Sequence, residues 1–151
     1  MIRINRQTDY AVRVVLALAE HETNTRMSSR VIQSNMHIPV SFMPRIVSQL
    51  ANNGLVKTYA GRDGGLELAR PPAQISIQEV VEAFEGPILL SGCIQGKDED
   101  NYPFHNNCHV RTKWGRIQVA MLREMAAINF ADLAKEAKTN PLETIIPMVH
   151  Q

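Results

Sequence analysis

Apolar and polar positions along the chain follow helical spacing over most of its length and strand spacing over one short stretch. From Thr8 to Glu20 (TDYAVRVVLALAE), Tyr10, Val14, Leu16, Leu18 and their neighbours supply a broad apolar face, which predicts a helix capped by Thr8. The polar His21–Arg26 reads as a turn. Ser28 and Ser29 then offer an N-cap for a short helix from Arg30 to about Asn35, with Val31 and Ile32 inward. Met36-His37-Ile38-Pro39 breaks the run, because a residue before proline is pushed out of the helical region. A second helix is expected over roughly Ser41–Asn53, with Phe42, Ile46, Val47 and Leu50 at helical spacing and Gly54 as a left-handed stop.

Leu55–Tyr59, the glycine-rich Ala60–Gly65 and Leu66–Ala69 read as strand, turn and strand, a β-hairpin closed off by Pro71 and Pro72. Ser76 caps a further helix over Ile77–Phe84, ended by Gly86-Pro87. Gly, Asp, Asn, Lys and Pro dominate between Ser91 and Asn107, which predicts a loop. Helical spacing returns from about His109 to Ala137 through Val110, Trp114, Ile117, Val119, Met121, Leu122 and Met125, with Ala131–Lys138 set apart as a turn of helix of its own. The apolar surface of this long helix has no evident partner within the chain, so a homodimer with Val110–Ala127 paired across a two-fold axis is expected. The predicted division is 1–87, 88–108, 109–138 and a loosely ordered tail, 139–151. The fold class is mainly α, a winged helix-turn-helix with a two-stranded hairpin wing and a long C-terminal dimerisation helix.

Charge adds a partner to this picture. The 151 residues carry a net charge of +1, yet residues 1–70 hold nine Lys/Arg against five acids while the remainder holds seven against ten. A basic first half joined to an acidic second half suggests that only the first meets a polyanion. Hydrophobic residues make up 44% and charged residues 21%, as in ordinary globular proteins. No apolar stretch approaches the roughly 18–20 residues that span a bilayer, and Met1–Arg6 lacks the pattern of a signal peptide, so no membrane contact and a cytoplasmic location are expected. In that compartment Cys93 and Cys108 are expected as buried thiols, redox-active thiols or metal ligands rather than a structural disulfide. No nucleophile–base pair or open metal triad marks an enzyme.

Two helices around a tight break, followed by a hairpin, suit duplex DNA. An α-helix fits the major groove, and its N-terminal residues reach base edges. Ser41 and Arg45 can hydrogen-bond bases or phosphates from there, and Phe42 can pack on sugars or thymine methyls. Ser28, Ser29 and Arg30 at the start of the first helix suit phosphate clamping. The wing tip, Gly61-Arg62-Asp63-Gly64-Gly65, brings Arg62 to the backbone or minor groove. Each piece alone has a plainer reading, a solvated loop arginine or a core phenylalanine; their order and spacing make the case.

Three stretches, TDYAVRVVLALA (8–19), IPVSFMPRIVSQLANNGLVKTYAGRDGGLELARPP (38–72) and ISIQEVVEAFEGP (75–87), resemble the Rrf2-type winged-helix regulators. That group includes the iron–sulfur assembly regulator and the nitric-oxide-sensing repressor. The glycine wing, LARPP and EAFEGP together are specific, and the resemblance is close over about the first 90 residues. It implies a homodimer reading a pseudo-palindromic operator. Pro44 stands where the assembly regulator carries a glutamate that tunes sequence choice. Proline is tolerated only in a first helical turn, so the recognition helix is expected to begin near Ser41 with a base preference of its own.

The resemblance also frames the sensor. Relatives with clusters use three cysteines in the loop; here Cys93 matches the first, Cys108 the third, and Tyr102 falls at the second. A four-iron cluster held by thiolates is therefore disfavoured. A two-iron, two-sulfur cluster (2Fe-2S) remains open if oxygen or nitrogen ligands complete it. The candidates are His105, His109 and Asp9, which matches a ligand-like aspartate of the nitric-oxide sensor. The alternatives are a cluster-free regulator responding through a thiol or a protein partner, and a cluster-carrying electron-transfer protein that uses the winged helix as scaffold.

Overall fold

The computed structural model describes residues 3–139 apart from 23, 92–93 and 95–108. Among the described residues there are six α-helices and one hairpin: α1 Arg6–Ala19, α2 Ser29–Asn35, α3 Met43–Asn52, β1 Val56–Tyr59, β2 Gly65–Leu68, α4 Ile77–Glu85, α5 Arg111–Ala127 and α6 Phe130–Thr139. The mainly helical winged helix-turn-helix expected from the pattern is what forms.

Helix α1 is the central strut. Ala11, Val14, Val15 and Leu18 are buried on one side of it, and α3, α4 and α6 pack around them. Ile32 of α2 and Ile46 and Leu50 of α3 complete the interior. Two local expectations change. Val31 is 47% exposed, so α2 buries only Ile32. Asn5, not Thr8, caps α1: its side chain accepts the Thr8 amide hydrogen at 2.9 Å. Thr8 is fully buried, and its hydroxyl donates to Glu85 Oε1 of α4 at 2.5 Å.

The break between α2 and α3 turns on His37, which sits at φ 52°, a left-handed conformation that histidine tolerates better than most side chains. Ile38 then drops into the core. A 3-10 turn over Val40–Phe42 leads into α3, so regular α-helix starts two residues later than Ser41. Pro44 lies in the first turn of α3, where its missing amide hydrogen leaves no bond unmade.

The hairpin is antiparallel, with Val56 opposite Leu68 and Tyr59 opposite Gly65. Beyond it, Ser76 caps α4 in a reciprocal capping box with Glu79. Burial alone would raise the Glu79 carboxyl, but the Arg70 guanidinium at 2.7 Å and the Ser76 amide hold it below the usual range. The C-terminal helical run divides in two. Ile128–Phe130 pairs with Ile75–Ile77 through Ile77 N–H to Ile128 O at 2.9 Å and Phe130 N–H to Ile75 O at 3.1 Å. That pairing turns the chain, and α6 folds back on α1 with Phe130 fully buried. Among the described residues the run expected over 109–138 is thus two helices, α5 ending at Ala127 and α6 packed on α1.

Candidate nucleic-acid interface

Three chain segments converge on one face: the lead into α2, the first turns of α3, and the wing. The anchor is a single-residue β-bridge. Met27 exchanges two backbone hydrogen bonds with Leu66, at 2.9 and 2.8 Å, which joins β2 to the residue directly before the Ser28 cap. Gly65 permits this approach, since a β-carbon there would stand 2.6 Å from the Met27 carbonyl oxygen. The sequence Met27-Ser28-Ser29 and the wing are thereby held as one surface.

Between them lies a cleft of about 430 Å³, lined by Ser28 and Ser29 on one side, Met43, Pro44 and Val47 of α3 on its floor, and Gly61 and Arg62 on the wing. Gly61 takes φ 98°, which only glycine adopts without strain, and its carbonyl accepts the Gly64 amide hydrogen at 3.1 Å to close the turn. Arg62 is exposed at that tip. The cleft thus gathers Ser28, Ser29 and Arg62 from the expected contacts. Arg30, Ser41 and Arg45 are exposed on the flanking surface of α2 and α3. Phe42 is placed differently: half-buried, it meets Tyr10 of α1 edge-to-face at 5.2 Å between ring centroids, and so braces the start of α3 against the core.

Sequence reasoning missed the residues that set the wing's angle. Tyr59 donates to Glu67 Oε1 at 2.6 Å, and the Arg26 guanidinium lies 3.6 Å over the Tyr59 ring. Arg26 and Lys57 flank the buried Glu67 at 3.7 and 3.9 Å. The two cations offset the charge of this carboxylate beside the cleft. Accepting the phenol's hydrogen bond, Glu67 raises Tyr59 above its ordinary value. The cross-strand pairing of Lys57 with Glu67 is a signal the sequence holds, but Arg26 enters from a segment with no strand pattern. Gln49 was also missed; its Nε2 donates to the Ala83 carbonyl at 2.7 Å and ties α3 to the end of α4.

For the sensor the described residues hold less. Asp9 is exposed in the first turn of α1 and paired with Arg13 at 3.0 Å, and His109 is exposed just before α5. Cys93, His105 and Cys108 lie outside the described residues. Among the described residues no three His, Cys, Asp or Glu side chains gather around one point.

Residues 4–136 match the Rrf2 family model, described as an iron-dependent transcriptional regulator. The chain belongs to the Rrf2 family. It is a family of transcription regulators rather than enzymes. The rrf2 protein of Nitratidesulfovibrio vulgaris is 28% identical over 142 residues, 93% of this chain and 92% of that protein. The NsrR regulator of Geobacillus kaustophilus is 28% identical over 89% of this chain and 91% of its own. Two Mycobacterium tuberculosis chains named for HTH-type transcriptional regulators are 34% identical over 87 residues, and the alignment spans about half (54%) of their length. The solved structure of CymR, the global cysteine regulator of B. subtilis, superposes with a TM-score of 0.72 at 27% identity, covering 89% of this chain and 98% of that one. At 20% identity and a TM-score of 0.70, T. potens IscR shares the fold.

Proposed function

We propose that this Rrf2-family chain is a cytoplasmic, homodimeric regulator that binds a pseudo-palindromic operator in duplex DNA. The observation that carries the reading is the cleft between α2, α3 and the wing, with Ser28, Ser29 and Arg62 around a helix whose leading edge is open. Phosphate is met by the two serines, Arg30 and Arg62; base edges are met by the first turns of α3, Ser41 and Arg45 among them. Full-length protein should shift a duplex from its own promoter region, with affinity falling steeply as salt rises. Arg62→Ala should weaken binding and lower the slope of log affinity against log salt by roughly one, with the fold intact. Salt-independent retention would leave an electron-transfer scaffold as the better account. An unchanged slope would remove Arg62 from the contacts.

The signal enters through the 88–108 segment, with Cys93 and Cys108 as the sensing residues. The donor set fits a 2Fe-2S cluster by count: two thiolates, the Asp9 carboxylate, and one imidazole from His105 or His109. Asp9 is exposed, so it is free to exchange Arg13 for a metal. Such a cluster supplies one-electron redox chemistry and a reactive target for nitric oxide. The family description as iron-dependent supports it. With only two thiols in the chain, oxidation of Cys93 and Cys108 is the second reading. Anaerobic reconstitution decides between them. Visible absorbance and bound iron, both lost in Cys93→Ala and Cys108→Ala, support the cluster; colourless protein without iron overturns it and leaves the response through a thiol or a protein partner.

A further inference from the structure

We infer that Val40 and Pro44 read thymine methyl groups, so that each half-site is chosen by thymine contact beside a guanine bound by Arg45. This rests on the DNA-binding role proposed above and carries it to sequence preference. The outward edge of α3 and its 3-10 lead-in consists of Val40, Ser41, Pro44, Arg45 and Ser48, all exposed, and Val40 is 72% exposed. A solvent-facing valine so open, next to an open proline, is a surface without an intramolecular purpose. Val40 opens the 3-10 turn and Pro44 the first turn of α3, so two exposed apolar side chains stand at the entry to the helix. Pro44 continues into the cleft floor with Met43 and Val47, so the apolar edge runs from the helix tip towards the wing.

The inventory of this edge excludes the other readings. A carboxamide reads adenine and a carboxylate accepts from cytosine, whereas arginine reads guanine and an apolar group reads the thymine methyl. No residue from Val40 to Ser48 carries a carboxamide or a carboxylate. Gln49, the next amide, is engaged by the Ala83 carbonyl, and Asn53 donates to the Gln49 carbonyl at 2.8 Å at the far end of the helix. Arg45 and the Val40–Pro44 edge are what remain, with Ser41 and Ser48 compatible with any base.

The test removes the methyl and nothing else. A duplex is selected from a random library by the full-length chain, and each thymine of the selected site is replaced in turn by deoxyuridine. Burying one methyl corresponds to about fourfold in affinity. Wild-type protein should therefore bind about fourfold more weakly at one or two thymines per half-site. Val40→Ala and Pro44→Ala, with unchanged melting temperatures, should each reduce the deoxyuridine penalty at the thymine that the substituted residue contacts. Indifference of the wild type to every deoxyuridine overturns the inference, and so does an undiminished penalty in both variants. Enrichment of no sequence at all overturns it together with the DNA-binding role, whereas a selected site indifferent to methyl removal overturns the thymine reading alone.

Discussion

The contact between Thr8 and Glu85 shows what a single residue contributes beyond its local role. Glu85 accepts from the buried Thr8 hydroxyl and from the Asn5 amide at 3.1 Å, and these bonds hold its carboxyl below the ordinary glutamate value. A carboxyl depressed by folding adds stability above its unfolded value, about 4.3, and that stability is lost as pH falls through the folded value. Glu85→Gln keeps an acceptor but removes the charge. The variant should be less stable than wild type by roughly 0.5–1 kcal/mol at pH 7, the exposure of the carboxylate limiting the effect. Urea unfolding at pH 7 and pH 3 measures this; a gap that persists at pH 3 would assign the loss to packing rather than charge. The sequence could not distinguish Thr8 as cap from Thr8 as core. Asn5 and Thr8 both suit a cap, and the deciding partner stands 77 residues away.

Among elements, those with strong internal periodicity were legible: α1, α2, α3, the hairpin and α4 all lie within a few residues of where spacing and capping put them. The break between α5 and α6 was less so. Neither proline nor glycine marks Ile128-Asn129, and the turn exists because those residues pair with Ile75–Ile77, a contact between distant segments. Phe130 is what the turn serves. It is the largest fully buried side chain among the described residues, and it docks α6 on α1. Phe130→Ala should cost about 3–5 kcal/mol of unfolding free energy, as for other buried aromatic truncations. A loss below about 1 kcal/mol would mean that α6 is an appendage and that the first domain ends at α4. The interface residues divide in the same way. The placement of Ser28 as a cap and of Arg62 in the glycine turn was readable because cap and turn chemistry is local, whereas Arg26, Tyr59 and Glu67 act together only through the folded wing.

At the scale of the molecule, α5 is the described helix without a buried side chain, and it is the element the proposed homodimer rests on. At 17 residues it is about 25 Å long, and none of its side chains is buried. Its inner face touches α4, with Gln118 Oε1 accepting the Leu90 amide hydrogen at 3.1 Å. Beside that face Val110, Trp114, Ile117 and Met121 recur at the four- and three-residue steps of a helix-pairing seam, and Ile117 is 53% exposed. In the proposed homodimer a two-fold pair along this seam would bury each side chain twice. Burial of one isoleucine is worth roughly 1.5–3 kcal/mol, so Ile117→Glu should weaken a dimer by about 3–6 kcal/mol, or roughly two to four orders of magnitude in Kd. Sedimentation should find wild type dimeric and the variant monomeric at micromolar concentration. The consequence reaches DNA, because two recognition helices one turn apart hold both half-sites only if the seam is closed. The Ile117→Glu monomer should therefore bind a full operator no better than a half-site, with each cleft intact. A variant that stays dimeric would move the interface elsewhere. A monomer that still prefers the full operator would detach operator recognition from α5 altogether.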